Sequence, residues 1–553
     1  MTSPLPHPPE SAARGPALSR RTLFTLAGAG LAATGIAPLA AQTRSGFTHG
    51  VASGEPGADR VLLWTRYVGS GDTDLRYELA RDLSFARPVA GGTLTASPAR
   101  DWCAKTMAEG LEPDSWYYYR FIAPDGAISD IGRTRTLPEG PVARWRMAVF
   151  SCANMGFGWF NAYAHAAAAN EFDLAVHTGD YFYEYPPGNY PSADQAIRTA
   201  APASETVTLA DYRARHAAYR QDSDLQRLHQ LYPMILVWDD HETANDSWQH
   251  GAENHQPETE GSWDTRKSVA LRAYREWLPV SDADWASYDI GNLATIFRLE
   301  TRLTARAEQF DLGAVLAGAR DPQAAQAALV AFRDGAFRDP ARELLGAQQQ
   351  AWLADGLRRS SRAGRRWQVL AQQVIMGNLR TPASLASALG DSVPDYLRQR
   401  LTASIAASRL GLPFNMDAWD GYPAARERLL RAALDADANL VVLTGDTHNA
   451  WAFDLDLDGA RAGVEFAGQS VTSPGAEGYL AGIDPATFAR DAVAENGQLQ
   501  WADTARRGYM AVELTPAAAT CEWRFLDTIR SRSATLAGTH QMASAAGEKR
   551  LAG

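Results

Sequence analysis

Cysteine and positive charge are both scarce in this sequence. Only three of the 553 residues are cysteine, so at most one disulfide can form and at least one thiol stays free. Lys and Arg number 53 against 64 Asp and Glu, which gives a formal net charge of -11. This balance argues against a general affinity for nucleic acid or for anionic membrane surfaces. A single phosphate group would need a local source of positive charge, which bound metal ions can supply.

Further absences narrow the fold and the chemistry. After the first forty residues no hydrophobic run is long enough to span a membrane, and there is no internal repeat or low-complexity tract. No Gly-x-Ser-x-Gly motif is present, so a covalent serine nucleophile is not expected. The length and a hydrophobic content of 46% indicate a globular protein of more than one domain with a large core.

The first forty residues resemble an export signal and are not expected to belong to the fold. Arg20 and Arg21 precede a weakly hydrophobic, Gly- and Ala-rich stretch at 26–41, which is typical of a twin-arginine signal. The alternative is a membrane anchor, but the stretch is short and its small residues are poorly lipophilic. We expect cleavage near 40–42, so that residues 1–41 are the signal and the twin-arginine export machinery is a partner. The mature protein would be periplasmic or extracellular, without a stable membrane anchor.

Residues 46–140 are predicted to form a small β domain. Strand-like runs at 61–65, 75–79 and 116–122 are separated by Gly, Pro and Asp turns. The segment 110–120 resembles the closing strands of a fibronectin-type sandwich, in which alternate aromatic side chains pack inward. The alternative is that these aromatics form a ligand platform. The domain boundary is expected near 137–141.

From residue 145 onward the pattern is that of an α/β domain, predicted to span 141–530 and to be followed by a tail at 531–553. Apolar runs at 147–150, 174–177, 234–238 and 440–444 each stop at a polar cluster, and helical segments lie between them at 161–170, 266–277, 348–358 and 424–433. Residues 380–420, rich in Gly, Ala and Ser, are predicted to be a loop region. Buried strands that deliver polar residues at their carboxyl ends indicate a site at that edge of the sheets.

The polar clusters after these strands contain candidate metal ligands. Asp180 lies in a Gly-Asp-x-x-Tyr motif, whose Tyr183 can reach the same cation. The segment 239–242 places three acids and a His together, which is costly without a cation. Asp446 and His448 follow the last strand. Each cluster alone also fits a simpler explanation, such as a turn with a buried Tyr or a solvated loop.

Taken in order, these clusters resemble the binuclear metallophosphoesterase signature. The Tyr three residues after the Asp resembles the motif of the purple-acid-phosphatase-like branch of that superfamily. Asp240 stands where that superfamily has Asn, Asp446 stands where it has His, and Cys152 stands where it has the first Asp. With the segments 47–54, 63–66 and 417–424, the set resembles the PhoD alkaline phosphatase/phosphodiesterase family from about residue 46 to about residue 530. The twin-arginine signal also matches that family.

The resemblance implies a fold and a ligand set. The fold would be a metallophosphoesterase core, a β-sandwich flanked by helices, with a small N-terminal fibronectin-like β-sandwich domain. An Fe³⁺ ion would have four ligands, namely Cys152, Asp180, Tyr183 and His448. Asp180 would bridge to Ca²⁺, with Asp240 and Asp446 as further ligands and Asp239 and Asn245 as candidate helpers. Carboxylates favour a hard cation such as Ca²⁺, whereas thiolate with phenolate favours Fe³⁺.

Two further residues are candidates for contact with the substrate. His241 is placed to hydrogen-bond a phosphoryl oxygen or to protonate the leaving group, or else only to orient other groups. Arg302 follows Glu300, where the family usually has Asp, and could clamp phosphate or form a structural salt bridge. Cys103 and Cys521 are either packing residues or a disulfide pair.

The resulting functional hypothesis is an exported, metal-dependent hydrolase of phosphate mono- or diesters, in which metal-activated water attacks phosphorus directly. One alternative is a phospholipase D-like phosphodiesterase acting on phospholipid head groups. Another is a non-catalytic metal-binding protein of the cell envelope. The sequence does not rank monoesters against diesters and does not identify the leaving group.

Overall fold

The computed structural model describes residues 46–388, 395–480 and 482–552. The predicted export signal at 1–41 lies outside the described residues. The strands, in chain order, are β1 (Gly46–Gly54), β2 (Arg60–Val68), β3 (Thr73–Ala80), β4 (Ala90–Ala96), β5 (Cys103–Glu109), β6 (Trp116–Ile122), β7 (Gly132–Arg135), β8 (Trp145–Phe150), β9 (Leu174–His177), β10 (Pro233–Leu236), β11 (Ala286–Ile290), β12 (Ala294–Arg298), β13 (Trp367–Ala371), β14 (Leu440–Thr444), β15 (Ala450–Leu457), β16 (Ala460–Ala467), β17 (Leu499–Asp503), β18 (Gly508–Leu514), β19 (Ala518–Leu526) and β20 (Leu536–Ala545).

The α-helices of the described residues all follow β8 along the chain. They are α1 (Asn161–Ala169), α2 (Leu209–Arg220), α3 (Ser223–Leu231), α4 (Pro257–Glu260), α5 (Trp263–Trp277), α6 (Leu312–Leu316), α7 (Pro322–Asp334), α8 (Gly346–Arg362), α9 (Asp395–Arg409), α10 (Pro423–Asp435), α11 (Ala476–Tyr479) and α12 (Pro485–Glu495). Helix α5 shows why such segments are helical, because Ser262 caps its first turn and Arg266, Ala270 and Ala273 are buried along one face.

Two large sheets pack face to face and form the core. One has nine strands in the order β20-β19-β18-β8-β9-β10-β1-β2-β5, and the other has seven in the order β11-β12-β13-β14-β16-β15-β17. Val149, Val176 and Ile235 of the first sheet contact the same buried cluster as Val441 and Phe466 of the second. Because both faces of these strands are covered, they are apolar throughout rather than alternating.

Helices cover the outer faces of this sandwich, as predicted. Helices α1, α2, α3 and α5 pack on the nine-stranded sheet. Helices α8, α10 and α12 pack on the seven-stranded sheet. The four helical segments expected from the sequence correspond to α1, α5, α8 and α10. The architecture is therefore the predicted β-sandwich flanked by helices.

The N-terminal region shares a sheet with this core. Strands β1, β2 and β5 belong to the nine-stranded sheet, where β1 pairs in parallel with β10, and they face a four-stranded sheet with the order β4-β3-β6-β7. Tyr117, Tyr119 and Phe121 of β6 are buried between the two layers, while the residues between them are partly exposed. This is the inward aromatic packing expected for a sandwich.

Two sequence-based predictions about secondary structure are wrong. The predicted tail at 531–553 contains β20, which pairs with β19 along its length and extends the large sheet. The predicted loop region at 380–420 contains α9, in which Leu397, Leu401 and Ile405 are buried at helical spacing. Because the region is rich in Gly, Ala and Ser and has few large apolar residues, the helical spacing of those few was not recognised in the sequence.

The described residues show the state of the cysteines and whether any of their helices could span a membrane. Cys103, Cys152 and Cys521 are all buried and unpaired, so Cys103 and Cys521 pack as free thiols. Among the described residues, none of the helices combines the length and the apolar character that a bilayer span requires.

Candidate metal centre

The carboxyl ends of four strands meet at one edge of the sandwich. Strands β8, β9 and β10 are parallel neighbours in the first sheet, and β14 lies in the second. Cys152, Asp180, Asp240 and Asp446 follow these four strands by two to four residues. The predicted ligands are therefore brought together by strand order, as expected for the carboxyl edge of parallel strands.

The backbone around these ligands turns sharply. Cys152, Asp180, Asp446 and His448 all have positive φ, at 58°, 55°, 61° and 62°. Such left-handed backbone is uncommon for residues with a side chain, and it tends to cluster at functional sites. In each case the turn redirects a side chain from the strand toward the shared edge.

The strand ends also approach one another closely. A Cβ atom on Gly179 would lie 2.4 Å from the Cβ of Asp239, and one on Gly445 would lie 2.4 Å from the Cβ of Ser151. Glycine is required at both positions because no side chain fits between the loops.

Three overlapping groups of side chains offer metal-ligand atoms within 4.8 Å of one another. The first cluster is Cys152, Asp180 and His448. The second cluster is Asp180, Asp240 and His241. The third cluster is Asp239, Asp240 and Asp446. Every member is buried, and the shared Asp180 and Asp240 join the clusters into one centre.

Tyr183 completes the first cluster. Its hydroxyl donates to Asp180 Oδ2 at 2.8 Å and lies 3.0 Å from Nε2 of His448. Ser473 donates to the same hydroxyl at 2.7 Å. Burial, together with the nearby charge of Asp180, raises the pKa of both Tyr183 and Cys152. Thiol and phenol would ionise here only with a cation beside them.

The acidic residues of the centre repel one another. Burial and neighbouring carboxylates raise the pKa of Asp180, Asp239 and Asp446 above the usual range. Burial acts in the same direction on Asp240, but Arg302 and His241 outweigh it and lower its pKa. The centre thus holds more acidic groups than its neighbouring cations neutralise.

The fit of this centre to metal ions can be tested on its unpaired atoms. Asp180 Oδ1, Asp239 Oδ2 and Asp446 Oδ2 are buried carboxylate oxygens without a hydrogen-bond partner. A buried carboxylate oxygen left unpaired is costly, whereas a hard cation among such oxygens compensates the cost. These three belong to residues of the overlapping clusters, so the residues present fit bound cations.

Arg302 lies among the carboxylates and is fully buried. It donates to Asp239 at 2.5 Å, to Asp417 at 2.7 Å and to Asp446 at 3.2 Å. Asp417 in turn pairs with Arg306. Of the two roles that the sequence left open for Arg302, the geometry matches the salt bridge, because its donors are directed at protein carboxylates. Asp417 was not predicted, although it opens the segment 417–424 that contributed to the family resemblance.

Glu300 supports this arrangement from the backbone. Its carboxylate accepts from the backbone amides of Arg302 and Leu303, both at 2.7 Å, and from the indole of Trp238 at 3.0 Å. It therefore shapes the turn that presents Arg302 and does not pair with the guanidinium.

His241 is held by a carboxylate that the sequence analysis did not single out. Its Nδ1 lies 2.7 Å from Glu184, which also accepts from the amide of Asn245 and the side chain of Asn254, both at 2.8 Å. Burial opposes the charged imidazolium, but Asp240 and Glu184 outweigh it and raise the pKa of His241. With Nδ1 engaged, Nε2 is the nitrogen left for other contacts. Glu184 directly follows Tyr183 in the sequence, and this adjacency to a candidate ligand is the feature that could have identified it.

Glu242 and Asn245 have structural contacts. Glu242 accepts from the amides of Asp180, Tyr181 and Asp239, so one buried carboxylate joins the loops after β9 and β10. The side-chain amide of Asn245 donates to Glu253 at 3.1 Å, whereas the other predicted helper, Asp239, is a member of the third cluster.

The chain is similar to known phosphatases over most of its length. The family model described as PhoD-like phosphatase matches residues 147–523, and the model of the N-terminal domain of the same phosphatases matches residues 32–138. Alkaline phosphatase D of Bacillus subtilis (strain 168) is 34% identical over 521 residues, which cover 89% of this chain and 79% of that protein. The solved structure of PhoD has a TM-score of 0.74 at 30% identity, with 92% of each chain covered. The chain therefore belongs to the PhoD-like phosphatase family of phosphoric ester hydrolases.

Proposed function

We propose that this protein is an exported phosphatase that works with Fe³⁺ and Ca²⁺ bound at the clustered ligands. The observation that carries this proposal is the set of buried, unpaired oxygens on Asp180, Asp239 and Asp446. Carboxylates crowded in this way, without enough neighbouring cations, form a site for hard metal ions.

The first cluster suits Fe³⁺. Cys152 offers a thiol, Tyr183 a phenol, His448 an imidazole nitrogen and Asp180 a carboxylate, all buried within contact of one another. Thiolate, phenolate and carboxylate together bring three negative charges to one ion, which a trivalent cation balances.

The carboxylates of the second and third clusters suit Ca²⁺. Asp180, Asp240 and Asp446 supply oxygen ligands, and Asp239 lies within reach of the same position, while His241, the remaining member of the second cluster, is assigned to proton transfer and not to the metal. Hard oxygen donors of this kind favour Ca²⁺ over softer ions such as Zn²⁺. Asp180 would be shared between the two metal positions, since it belongs to both the first and the second cluster.

The residues around the proposed metal positions hold the ligands in place and move a proton. Metal ions at this centre would neutralise the phosphate oxygens and activate water for direct attack on phosphorus. Arg302 holds Asp239 and Asp446 in place, so the acids stay converged on the metal positions. His241, protonated and oriented by Glu184, donates its Nε2 proton to the leaving oxygen.

Export through the twin-arginine pathway belongs to the same proposal. Arg20 and Arg21 ahead of a Gly- and Ala-rich stretch support it. Substrates of that pathway cross the membrane already folded, which lets the enzyme acquire its metals before it leaves the cytoplasm. The expected location is the periplasm or the cell exterior.

Metal analysis of the purified protein, combined with a panel of phosphoesters, tests the proposal. We expect iron and calcium in the protein, hydrolysis of a nitrophenyl monoester or diester, and loss of activity with a calcium-selective chelator while iron stays bound. Asp446→Asn should lose calcium and activity, whereas the matched control Asp454→Asn, on β15 away from the centre, should retain both. Full activity in calcium-free protein with zinc bound would refute the metal assignment. Preferential hydrolysis of phosphatidylcholine would instead identify the enzyme as a phospholipase D-like diesterase.

A further inference from the structure

The side of His448 that faces away from the metal centre makes two polar contacts. Its Nδ1 lies 2.8 Å from the carbonyl oxygen of Pro474 and 2.5 Å from the hydroxyl of Tyr479, in α11. A carbonyl oxygen can only accept, so Nδ1 carries the hydrogen. Nε2 then presents its lone pair to Tyr183 and the first cluster.

The contact with Tyr479 continues to a second phenol. The hydroxyl of Tyr479 lies 3.0 Å from that of Tyr190. The one hydrogen on Nδ1 is shared between Pro474 and Tyr479, so the hydroxyl hydrogen of Tyr479 is free to be donated to Tyr190. The ring of Tyr190 packs 5.7 Å from the ring of Tyr183, centroid to centroid, so the pair of phenols touches two of the proposed iron ligands.

Both tyrosines are fixed by their surroundings. Helix α11 is anchored by Asn449, which accepts from the amide of Ala476 at 2.9 Å, and by an ion pair between Glu477 and the buried Arg507. At Tyr190 the ring packs edge-on against Phe157 and the carbonyl oxygen accepts from Asn154 at 3.2 Å. Both phenols are therefore held by contacts that lie outside the proposed ligand set.

We infer that Tyr479 is a positioning residue for His448 and that Tyr190 in turn positions Tyr479, so that hydrogen bonds connect His448, Tyr479 and Tyr190 in that order. The inference rests on the proposed iron site. An acceptor at Nδ1 orients the ring of a metal-binding His and makes the other nitrogen a stronger donor. The carbonyl of Pro474 already fixes the tautomer of His448, and Tyr479 is the second acceptor that holds the ring at Nδ1. The two tyrosines would thus set how firmly His448 holds the iron.

The test compares Tyr479→Phe, Tyr190→Phe and the double variant with wild-type protein. Iron content after dialysis against a chelator and the visible absorption band are the readouts. Tyr479→Phe should weaken iron retention by about 10- to 100-fold, the range seen when such supporting partners are removed, and should shift the band. Tyr190→Phe should have a smaller effect in the same direction, and the double variant should be no worse than Tyr479→Phe.

A matched control separates this role from simple packing. Tyr163→Phe removes a buried phenol that contacts His177 at 2.9 Å, outside the proposed ligand set, and it should leave iron and band unchanged. If the two Phe variants at 479 and 190 retain iron and colour as well as the control does, the inference is overturned while the iron site stands. If wild-type protein holds no iron and has no visible band, the proposed function itself fails. Should Tyr479→Phe not fold, unchanged iron retention in Tyr190→Phe would still overturn the series arrangement.

Discussion

Replacing Arg302 with Met is expected to destabilise the metal-free protein, and calcium is expected to restore part of the loss. The guanidinium pairs with Asp239, Asp417 and Asp446 at 2.5, 2.7 and 3.2 Å, with every partner buried. Removing one partner from a buried ion pair costs about 3–5 kcal/mol, because the remaining charge is left uncompensated. With an unfolding entropy of about 2.1 cal/mol/K per residue over about 500 residues, this loss corresponds to a fall in Tm of roughly 3–5 °C.

Thermal unfolding of metal-free protein, with and without added calcium, is the assay. Calcium should raise the Tm of Arg302→Met more than that of wild type, because the cation replaces the positive charge that the guanidinium supplied to Asp239 and Asp446. A ligand present at 100 times its Kd stabilises the folded protein by about 2.7 kcal/mol. Arg333→Met is the control, since it breaks an exposed, solvent-screened pair with Asp334 and should leave the Tm close to that of wild type. If Arg302→Met melts like wild type and shows only a raised KM for phosphoesters, Arg302 binds substrate phosphate and the charge-balance argument is wrong.

Three further predictions address the other roles. Cys152→Ala should lower the iron content far more than it lowers the Tm, because a ligand is lost with only a small apolar volume; equal iron content would make Cys152 a packing residue. Glu184→Gln should slow substrates with poor leaving groups about 10- to 100-fold and nitrophenyl esters much less, since His241 loses its charged partner. Equal slowing of both substrate types would contradict proton donation by His241. A chiral phosphate substrate should give inverted product, and retention would indicate a phospho-enzyme.

The parts of the fold that follow from local pattern were predictable. The apolar runs that became β8, β9, β10 and β14 end at the polar clusters that were expected to meet at one edge. Tyr117, Tyr119 and Phe121 alternate with partly exposed residues, as the strand period requires. Strand β20 was missed because its strand residues alternate between partly exposed and exposed along most of their length, so it has no apolar run to reveal it.

The supporting residues of the site were harder to predict because their partners lie far along the chain. Arg302 and Asp417 are 115 residues apart, and His241 and Glu184 are 57 apart. A candidate ligand lies directly after a strand and can be recognised from the local sequence. The residue that orients it belongs to a loop distant in the sequence, so no local pattern connects the two. Tyr479 illustrates the point, since nothing in the four residues of α11 marks it as a neighbour of His448.

The backbone is strained at four of the proposed ligands, and contacts within the protein have to offset the cost of this strain. Left-handed backbone at a residue with a side chain costs about 1–2 kcal/mol, and Cys152, Asp180, Asp446 and His448 all adopt it. Burial of their polar groups adds a further cost. Both are offset within the protein by contacts that hold the loops in register, such as Glu242 across the loops after β9 and β10. The contacts of Glu242 therefore keep the residues proposed to bind metal close together without the metal itself.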